Sequence, residues 1–196
     1  MNFTKIRAFY ERFIPLTEGM WRELESCLTV RELKKGEIFI REGERCDYVS
    51  FLEEGLLRMY YLKEGKEVSA AFFFSGIYLS VYDSFVTRSP SRVCVDALTD
   101  SVLINLDYDS VQTLYRMNPE FEKFGRLIAE AILVSTNKRM MSLMLDDPET
   151  RYKNLLKERP KVIQHIPQYM IASYLGVTPE GLSRIKKRIH TNVQDG

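Results

Sequence analysis

The sequence predicts an α+β protein in which a β domain lies between two helical segments. Apolar residues recur at helical spacing before about residue 30 and again after Asp107, whereas short apolar or alternating runs fill the part between them. Glycine turns such as Lys35-Gly36 and Glu54-Gly55 separate these runs at regular intervals, a pattern typical of a β sandwich or barrel. With 196 residues, the chain can bury a substantial core.

Composition and charge narrow the class of protein. Hydrophobic residues make up 45% of the chain and charged residues 28%, which is ordinary for a soluble globular protein and unlike a disordered or fibrous one. The net charge is +1, but residues 138–196 hold 11 Lys and Arg against 6 Asp and Glu, which points towards a polyanionic partner. Three scattered cysteines, the lack of a signal peptide and the lack of a long apolar run predict a cytoplasmic protein with reduced thiols and no membrane contact.

The helical and strand segments follow from hydrophobic spacing. We expect a helix over residues 3–14 and a second one after Thr17, a candidate N-cap. The strand-like runs cover residues 38–40, 48–52, 56–62, 68–74, 93–97 and 102–106. In the 93–97 run, Val93, Val95 and Ala97 share one face, and Cys94 and Asp96 share the other.

A long helix is predicted after this β domain. A short helix over residues 108–115 precedes Asn118 and Pro119, which suit the start of a helix that runs to about Leu145. Its apolar stripe is Phe121, Phe124, Ile128, Ala131, Ile132, Val134, Met141 and Leu145. Because this stripe is too long for one compact core, we expect a homodimer through residues 119–145. The alternative is a helix packed only on its own β domain. The predicted domains are therefore 1–117, 118–146 and 147–196.

The C-terminal segment predicts a helix-turn-helix over residues 168–189. Ala172 provides the small residue that two crossing helices need, and Gly176 can adopt the positive φ of the sharp turn. Thr178 can cap the second helix, with Pro179 at its first position and Glu180 near the positive end of its dipole. The apolar face between the helices is Ile171, Leu175, Val177, Leu182 and Ile185.

The exposed face of this second helix is a candidate DNA-binding surface. Its residues are Thr178, Pro179, Glu180, Ser183, Arg184, Lys187 and Arg188. Because the N-terminal part of such a helix meets base edges, Glu180 can accept from a cytosine and Arg184 can bind a guanine. Lys186, Lys187 and Arg188 are expected to hold phosphates of double-stranded DNA.

This order of elements resembles the catabolite activator protein family, the CRP/FNR-type regulators. The residues that carry the resemblance are Lys35-Gly36-Glu37, Arg41-Glu42-Gly43-Glu44, Glu53-Glu54-Gly55 and Asn118-Pro119. The resemblance implies a cyclic-nucleotide-binding-like β-roll of the jelly-roll kind, a dimerisation helix and a DNA-reading helix-turn-helix. It also makes RNA polymerase a candidate partner.

The segment that binds cyclic AMP in the family departs from the family pattern. Ser80 and Val81 stand in place of a Gly-Glu pair, and Ser91 and Arg92 stand near the expected Arg-Ser pair. Valine cannot accept a ribose hydrogen bond, and Arg92 is displaced by one position, which turns it to the other face of a strand. Arg88 could replace it only with a loop of another size. Together with Thr136 on the long helix, these positions form the candidate ligand pocket. We expect no cofactor and no cyclic AMP binding, and a different small-molecule effector stays open.

Two further features bear on ligand and DNA recognition. The aromatic residues Phe72, Phe73, Phe74, Tyr78, Tyr82 and Phe85 are expected to pack in the core, with an altered pocket as the alternative. After the second helix, the sequence from His190 is too short for the hairpin wing of the family, so we expect the wing to be reduced or absent. The family's first recognition arginine is replaced by Pro179.

Rival functions find little support in the sequence. His165 and His190 both lie outside the β domain, so we expect no imidazole metal site, haem or iron–sulfur cluster there. The chain has no nucleophile elbow, P-loop or GxGxxG motif, and we expect no enzyme and no catalytic residues. The function predicted is that of a DNA-binding transcription regulator that does not respond to cyclic AMP. The alternative is a dimeric ligand sensor with weak or no DNA binding.

Overall fold

The structure, a computed structural model, describes residues 3–194 and confirms the predicted α+β class. The helices are α1 (Thr4–Glu11), α2 (Glu18–Ser26), α3 (Tyr82–Thr87), α4 (Tyr108–Met117), α5 (Pro119–Leu145), α6 (Pro148–Glu158), α7 (Pro160–His165), α8 (Gln168–Leu175) and α9 (Pro179–Gln194). The strands are β1 (Thr29–Leu33), β2 (Ile38–Ile40), β3 (Tyr48–Glu54), β4 (Leu56–Lys63), β5 (Lys66–Phe74), β6 (Ile77–Leu79), β7 (Cys94–Ala97) and β8 (Ser101–Asp107).

The strands form two antiparallel four-stranded sheets. One sheet has the order β1-β8-β3-β6 and the other β2-β7-β4-β5. The predicted alternation in β7 is confirmed: Val95 and Ala97 lie in the main hydrophobic core, whereas Asp96 binds the guanidinium of Arg58. The two sheets, with α1, α2, α4 and the start of α5 packed on them, bury one continuous core.

The structure adds short elements that the sequence pattern missed and shortens one. β6, α3 and α7 have three, six and six residues, too few to show a clear hydrophobic period. Strand β1, of five residues, was also missed, and only its last residue, Leu33, is buried. The first helix ends at Glu11 instead of residue 14, although Ile14 is still buried in the core. Pro15 follows, and the residue before a proline is disfavoured in helical conformation.

The long helix α5 has the predicted limits, but its apolar stripe divides into two parts. Asn118 caps it by accepting a hydrogen bond of 2.9 Å from the backbone N–H of Glu120. Phe121 and Phe124 are buried in the chain's own core, with Ile128 packed beside them. From Leu133 onwards, most apolar side chains of α5 are exposed. The first part of α5 therefore packs on its own β domain, and a homodimer through the exposed part stays a prediction.

The C-terminal helices pack directly on the β sandwich. Leu56 and Phe72 share a hydrophobic cluster with residues of α6, α7, α8 and α9. The ring of Phe72 lies 5.5 Å from that of Tyr174, and Arg159 donates a 2.6 Å hydrogen bond to the carbonyl of Phe72. This contact was not predicted. The division into three domains stays a prediction.

Candidate nucleic-acid interface

The turn between α8 and α9 has the geometry that the sequence predicted for it. Gly176 has a φ of +69°, the left-handed conformation that glycine adopts without steric cost. Its N–H donates to the carbonyl of Ser173, and the N–H of Val177 donates to that of Ala172, each at 3.0 Å. Ala172 and Leu182 are fully buried where the two helices meet. The turn therefore holds α9 firmly against α8.

The first turn of α9 is capped by Thr178. Its hydroxyl accepts a 3.1 Å hydrogen bond from the N–H of Gly181, which satisfies one free donor of the helix end. The backbone N–H of Glu180 and the Thr178 hydroxyl hold the pKa of the Glu180 carboxyl below its usual value. Glu180 is therefore ionised at neutral pH and can only accept hydrogen bonds.

The remaining predicted DNA-binding residues lie together on the outer face of α9. Leu182 and Ile185 are buried towards α8, whereas the residues between them face solvent. The exposed ones are Pro179, Glu180, Ser183, Arg184, Lys187 and Arg188. An open groove beside this face is lined by Gln168, Pro179, Ser183, Lys186, Lys187 and Thr191.

The cations on this face differ in how they are held. Arg188 lies 3.7 Å from a carboxylate oxygen of Glu149, and Lys186 donates to the side-chain oxygen of Gln168 at 3.0 Å. Within residues 3–194, no carboxylate forms an ion pair with Arg184 or Lys187. These two side chains are therefore available to bind an anion without first breaking an ion pair.

Beyond Ile189, the chain continues as helix as far as Gln194, in the region where the family has its wing. The side chains of His190 and of residues 192–194, and all of Asp195 and Gly196, lie outside the described part. The absence of a wing stays a prediction.

The candidate ligand residues do not present a common set of free polar groups. Ser80 donates to the carbonyl of Tyr48 at 2.9 Å, and Ser91 donates to the carbonyl of Val93 at 2.7 Å. Val81 is buried in the core. Arg92 lies just before β7 and Thr136 lies in α5, and both are exposed.

Arg88, the other basic residue of this segment, is already bound inside the protein. Its guanidinium pairs with the carboxylate of Asp47, donates to the carbonyls of Cys46 and Phe85 and lies 4.2 Å from the ring centre of Tyr108. Burial opposes ionisation of Asp47, but hydrogen bonds from Arg45 and Arg88 outweigh it and lower the pKa of that carboxyl. Arg88 is therefore held as a structural cation.

The aromatic residues are divided between core and cavity. Phe72 is buried against the C-terminal helices, as the packing interpretation predicted. Tyr78, Tyr82 and Phe85 line a cavity that also takes residues from α1, α4 and α5. No sequence signal joins those elements, because they approach only in the folded chain.

The structure as a whole defines a class: a two-sheet β-roll followed by a long helix and a terminal helix-turn-helix. Residues 30–118 match the family described as "Cyclic nucleotide-binding domain". The match spans the chain from β1 to the N-cap of α5, and the predicted resemblance is confirmed at the level of the fold. A comparison with curated protein sequences finds no match.

Solved structures share this architecture. FixK2 from Bradyrhizobium japonicum superimposes with a TM-score of 0.74 at 20% identity, covering 84% of this chain and 85% of that one. A protein from Eubacterium rectale assigned to the CRP/FNR family of transcriptional regulators gives a TM-score of 0.71 at 17% identity, covering 92% and 88%. The c-di-GMP-responsive regulator CLP from Xanthomonas campestris gives 0.68 at 16% identity, covering 90% and 93%. The chain thus has the fold of CRP/FNR-type regulators. Among residues 3–194, no helix is long and apolar enough to cross a membrane.

Proposed function

We propose that this protein is a sequence-specific DNA-binding transcription regulator of the CRP/FNR type that acts as a homodimer without responding to cyclic AMP. The observation that carries the proposal is the outer face of α9. It combines exposed Arg184 and Lys187 with the capped, ionised Glu180, on a helix held by a tight turn against α8. This is how a recognition helix is presented to the major groove.

The residues of this face take different roles. Glu180 and Arg184 are one turn apart near the start of α9, where side chains reach base edges. Arg184 can donate two hydrogen bonds to a guanine, and Glu180 can accept one from a cytosine amino group. Lys187 and Arg188 lie further along and neutralise phosphates, which adds affinity but little sequence discrimination.

The C-terminal half of α5 supports a dimer. Leu133, Val134, Met140 and Met141 are each more than half exposed, and Met144 and Leu145 are 74% exposed. Two adjacent stripes result, each with apolar residues seven positions apart, which is the spacing of a coiled-coil contact. A second copy of α5 would bury both and bring two α9 helices to one DNA duplex. Contact with RNA polymerase stays a prediction.

Independence from cyclic AMP is supported by the segment 80–92. Val81 offers no hydrogen-bond acceptor for a ribose hydroxyl and is buried in the core. Arg88 is already paired with Asp47. Only Arg92 remains for a cyclic phosphate, and it is exposed on the surface.

The test selects DNA sites from a random pool with the purified protein, with and without cyclic AMP, and then measures affinity for the selected site against salt concentration. We expect a palindromic site, no effect of cyclic AMP and affinity that falls steeply with salt. Lys187→Ala should reduce the slope of log K against log salt by about 1, equally for all sequences. Arg184→Ala should remove about 1–3 kcal/mol of discrimination at one base pair.

The control variant is Lys123→Ala with Arg126→Ala, which removes two exposed cations from the start of α5. It should leave both the affinity and the salt slope unchanged. A wild-type protein that selects no site, or whose binding does not depend on salt, would instead support the alternative of a dimeric sensor without DNA binding.

A further inference from the structure

A polar residue, Asn137, lies at the centre of the exposed apolar face of α5. The four apolar residues one turn away from it are Leu133, Val134, Met140 and Met141, and all four are exposed. Because successive residues of an α-helix are rotated by about 100°, two of the four lie about 40° and 60° to one side of Asn137 and two lie equally far to the other side. Met144, 74% exposed, lies two turns further along and almost in line with Asn137. A partner that covers this face therefore also covers Asn137.

The amide of Asn137 needs a partner once the face is covered. Its side chain is exposed in the single chain, and no group within residues 3–194 forms a hydrogen bond with it. An amide that is buried in an apolar contact without a partner loses its hydrogen bonds to water and destabilises that contact. A second amide removes this cost, because each amide can both donate and accept. The face therefore favours a partner that places an amide opposite Asn137.

A second copy of α5 that runs parallel and in register provides this amide. Each residue of the face then lies opposite its own counterpart, so Asn137 meets an asparagine and Met144 meets a methionine. An antiparallel copy that crosses at Asn137 would also pair the two amides, but it would bring Met144 opposite Glu130, seven positions before Asn137. Burying the carboxylate of Glu130 against a methionine is costly. The parallel arrangement is therefore favoured.

Charges cannot set the register of this contact. Glu130 and Arg126 lie on the same line of α5 as Asn137, and they form an exposed ion pair of 2.6 Å at the N-terminal end of the face. Among residues 133–145, all of which the structure describes, Asn137 is the one polar residue within about 80° of the centre of the face. A single asparagine in an apolar contact between helices is known to fix their register and number at some cost in stability.

We propose that Asn137 fixes the register and the parallel direction of the homodimer by pairing its side-chain amide with that of Asn137 in a second copy. The inference rests on the homodimer of the proposed function and adds the residue that aligns it. In this arrangement the two chains leave α5 at the same end of the pair. Both α9 helices are then on one side of the dimer, as binding to one DNA duplex requires.

Cross-linking through Met144→Cys tests the direction and the register. α5 contains no cysteine of its own. In the parallel dimer the two residues 144 face each other, whereas in the antiparallel dimer they are about 20 Å apart along the helices. We expect oxidation of the full-length protein with diamide to give a disulfide-linked dimer, with the link located at residue 144 by mass spectrometry. Ser135→Cys is the matched control, because Ser135 is exposed and lies about 160° around α5 from Asn137. It should give at least tenfold less of its own cross-link.

Asn137→Leu tests the amide pair. Because the asparagine costs stability, the variant by itself should form a dimer at least as tight as that of the wild type. The variant is then mixed with wild type under thiol–disulfide exchange, with Met144→Cys in both chains and an affinity tag on one. Heterodimers should be at least about fivefold rarer than their statistical share, because each buries one amide without a partner. Ser135→Leu, which adds the same side chain away from the face, should mix with wild type at the statistical share.

The outcomes separate this inference from the proposed function. A dimer that does not cross-link through residue 144, or heterodimers of Asn137→Leu at the statistical share, would overturn the inference and leave the proposed DNA binding intact. A wild-type protein that stays monomeric would overturn both the inference and the proposed homodimer. Neither measurement uses DNA, so a failure to select a DNA site would contradict the proposed function alone.

Discussion

The side chain of Ser173 closes the free edge of strand β5 at Ser69. Its hydroxyl accepts a 3.0 Å hydrogen bond from the backbone N–H of Ser69 and donates a 3.2 Å hydrogen bond to the carbonyl of Glu67. β5 is an edge strand, so these backbone groups have no strand neighbour on that side. The first helix of the helix-turn-helix thus takes the place of a neighbouring strand, and the β-roll and the helix-turn-helix are joined by direct hydrogen bonds.

Replacing this hydroxyl should loosen the contact between the two units. Ser173→Ala leaves the N–H of Ser69 and the carbonyl of Glu67 without these partners and should lower the free energy of unfolding by about 1–2 kcal/mol. Denaturant unfolding followed by circular dichroism measures this free energy. Ser183→Ala, an exposed serine on α9, should change stability by less than about 0.5 kcal/mol. Equal effects of the two variants would contradict a stabilising role for Ser173.

A substitution at Gly176 should change stability because of the backbone conformation there, and not because a side chain lacks space. An added Cβ would meet no atom closer than 3.8 Å, but φ is +69°. Gly176→Ala should therefore destabilise the protein by about 1–2 kcal/mol. Gly181→Ala is the matched control: Gly181 lies in α9, and a Cβ there meets Thr178 Oγ1 at 3.4 Å and Val177 Cβ at 3.6 Å, which are ordinary contact distances. That substitution should stabilise the protein by up to about 1 kcal/mol through helix propensity. Thermal unfolding of both variants shows whether their stabilities change in opposite directions, as expected, or whether both variants are less stable than the wild type.

The N-cap of α4 predicts a pH dependence of stability. Burial opposes ionisation of Asp107, but hydrogen bonds from the hydroxyl and N–H of Ser110, at 2.6 and 3.0 Å, outweigh it and lower its pKa. The lowered pKa stabilises the fold above the unfolded value of about 3.9 and loses this contribution as the pH falls towards the folded value.

Asp107→Asn keeps a good cap without the charge. We expect it to be less stable than the wild type at pH 7, with a difference that shrinks as the pH falls below about 3.9, by urea unfolding at a series of pH values. Ser110→Ala should reduce the same pH dependence by removing one donor. A difference between wild type and Asp107→Asn that does not change with pH would show that the charge has no role.

The exposed face of α5 predicts the oligomeric state. Leu133 and Met140 lie two turns apart on one face and are 61% and 52% exposed. Leu133→Glu with Met140→Glu should convert the proposed dimer to a monomer in sedimentation equilibrium, because the two substitutions would place like charges in the proposed apolar contact. The control variant carries Thr113→Glu on α4 and Ser135→Glu on α5. Both residues are exposed, and Ser135 lies about 200° around α5 from Leu133. The control should remain dimeric, and a wild type that is monomeric at all concentrations would contradict the dimer.

Features that depend on only a few neighbouring residues could be predicted from the sequence. Asn118 and Pro119 start α5 where expected, because capping and a fixed proline φ depend only on adjacent residues. Gly176 and Thr178 likewise place the turn and the cap of α9. The same local rules account for the exposed face with Arg184, since helical periodicity follows from spacing alone.

The tertiary structure decided what depends on residues far apart in the chain. Ser173 and Ser69 are separated by 104 positions, and neither carries a sequence signal for the other. The division of the α5 stripe at about Ile128 depends on where the β sandwich ends. The cavity at Tyr78 likewise arises only when α1, α3, α4 and α5 meet around β6. Local hydrogen bonds and dihedral preferences depend on short stretches of sequence. Packing between distant elements depends on how the whole chain buries its apolar surface, so it is determined only in the folded structure.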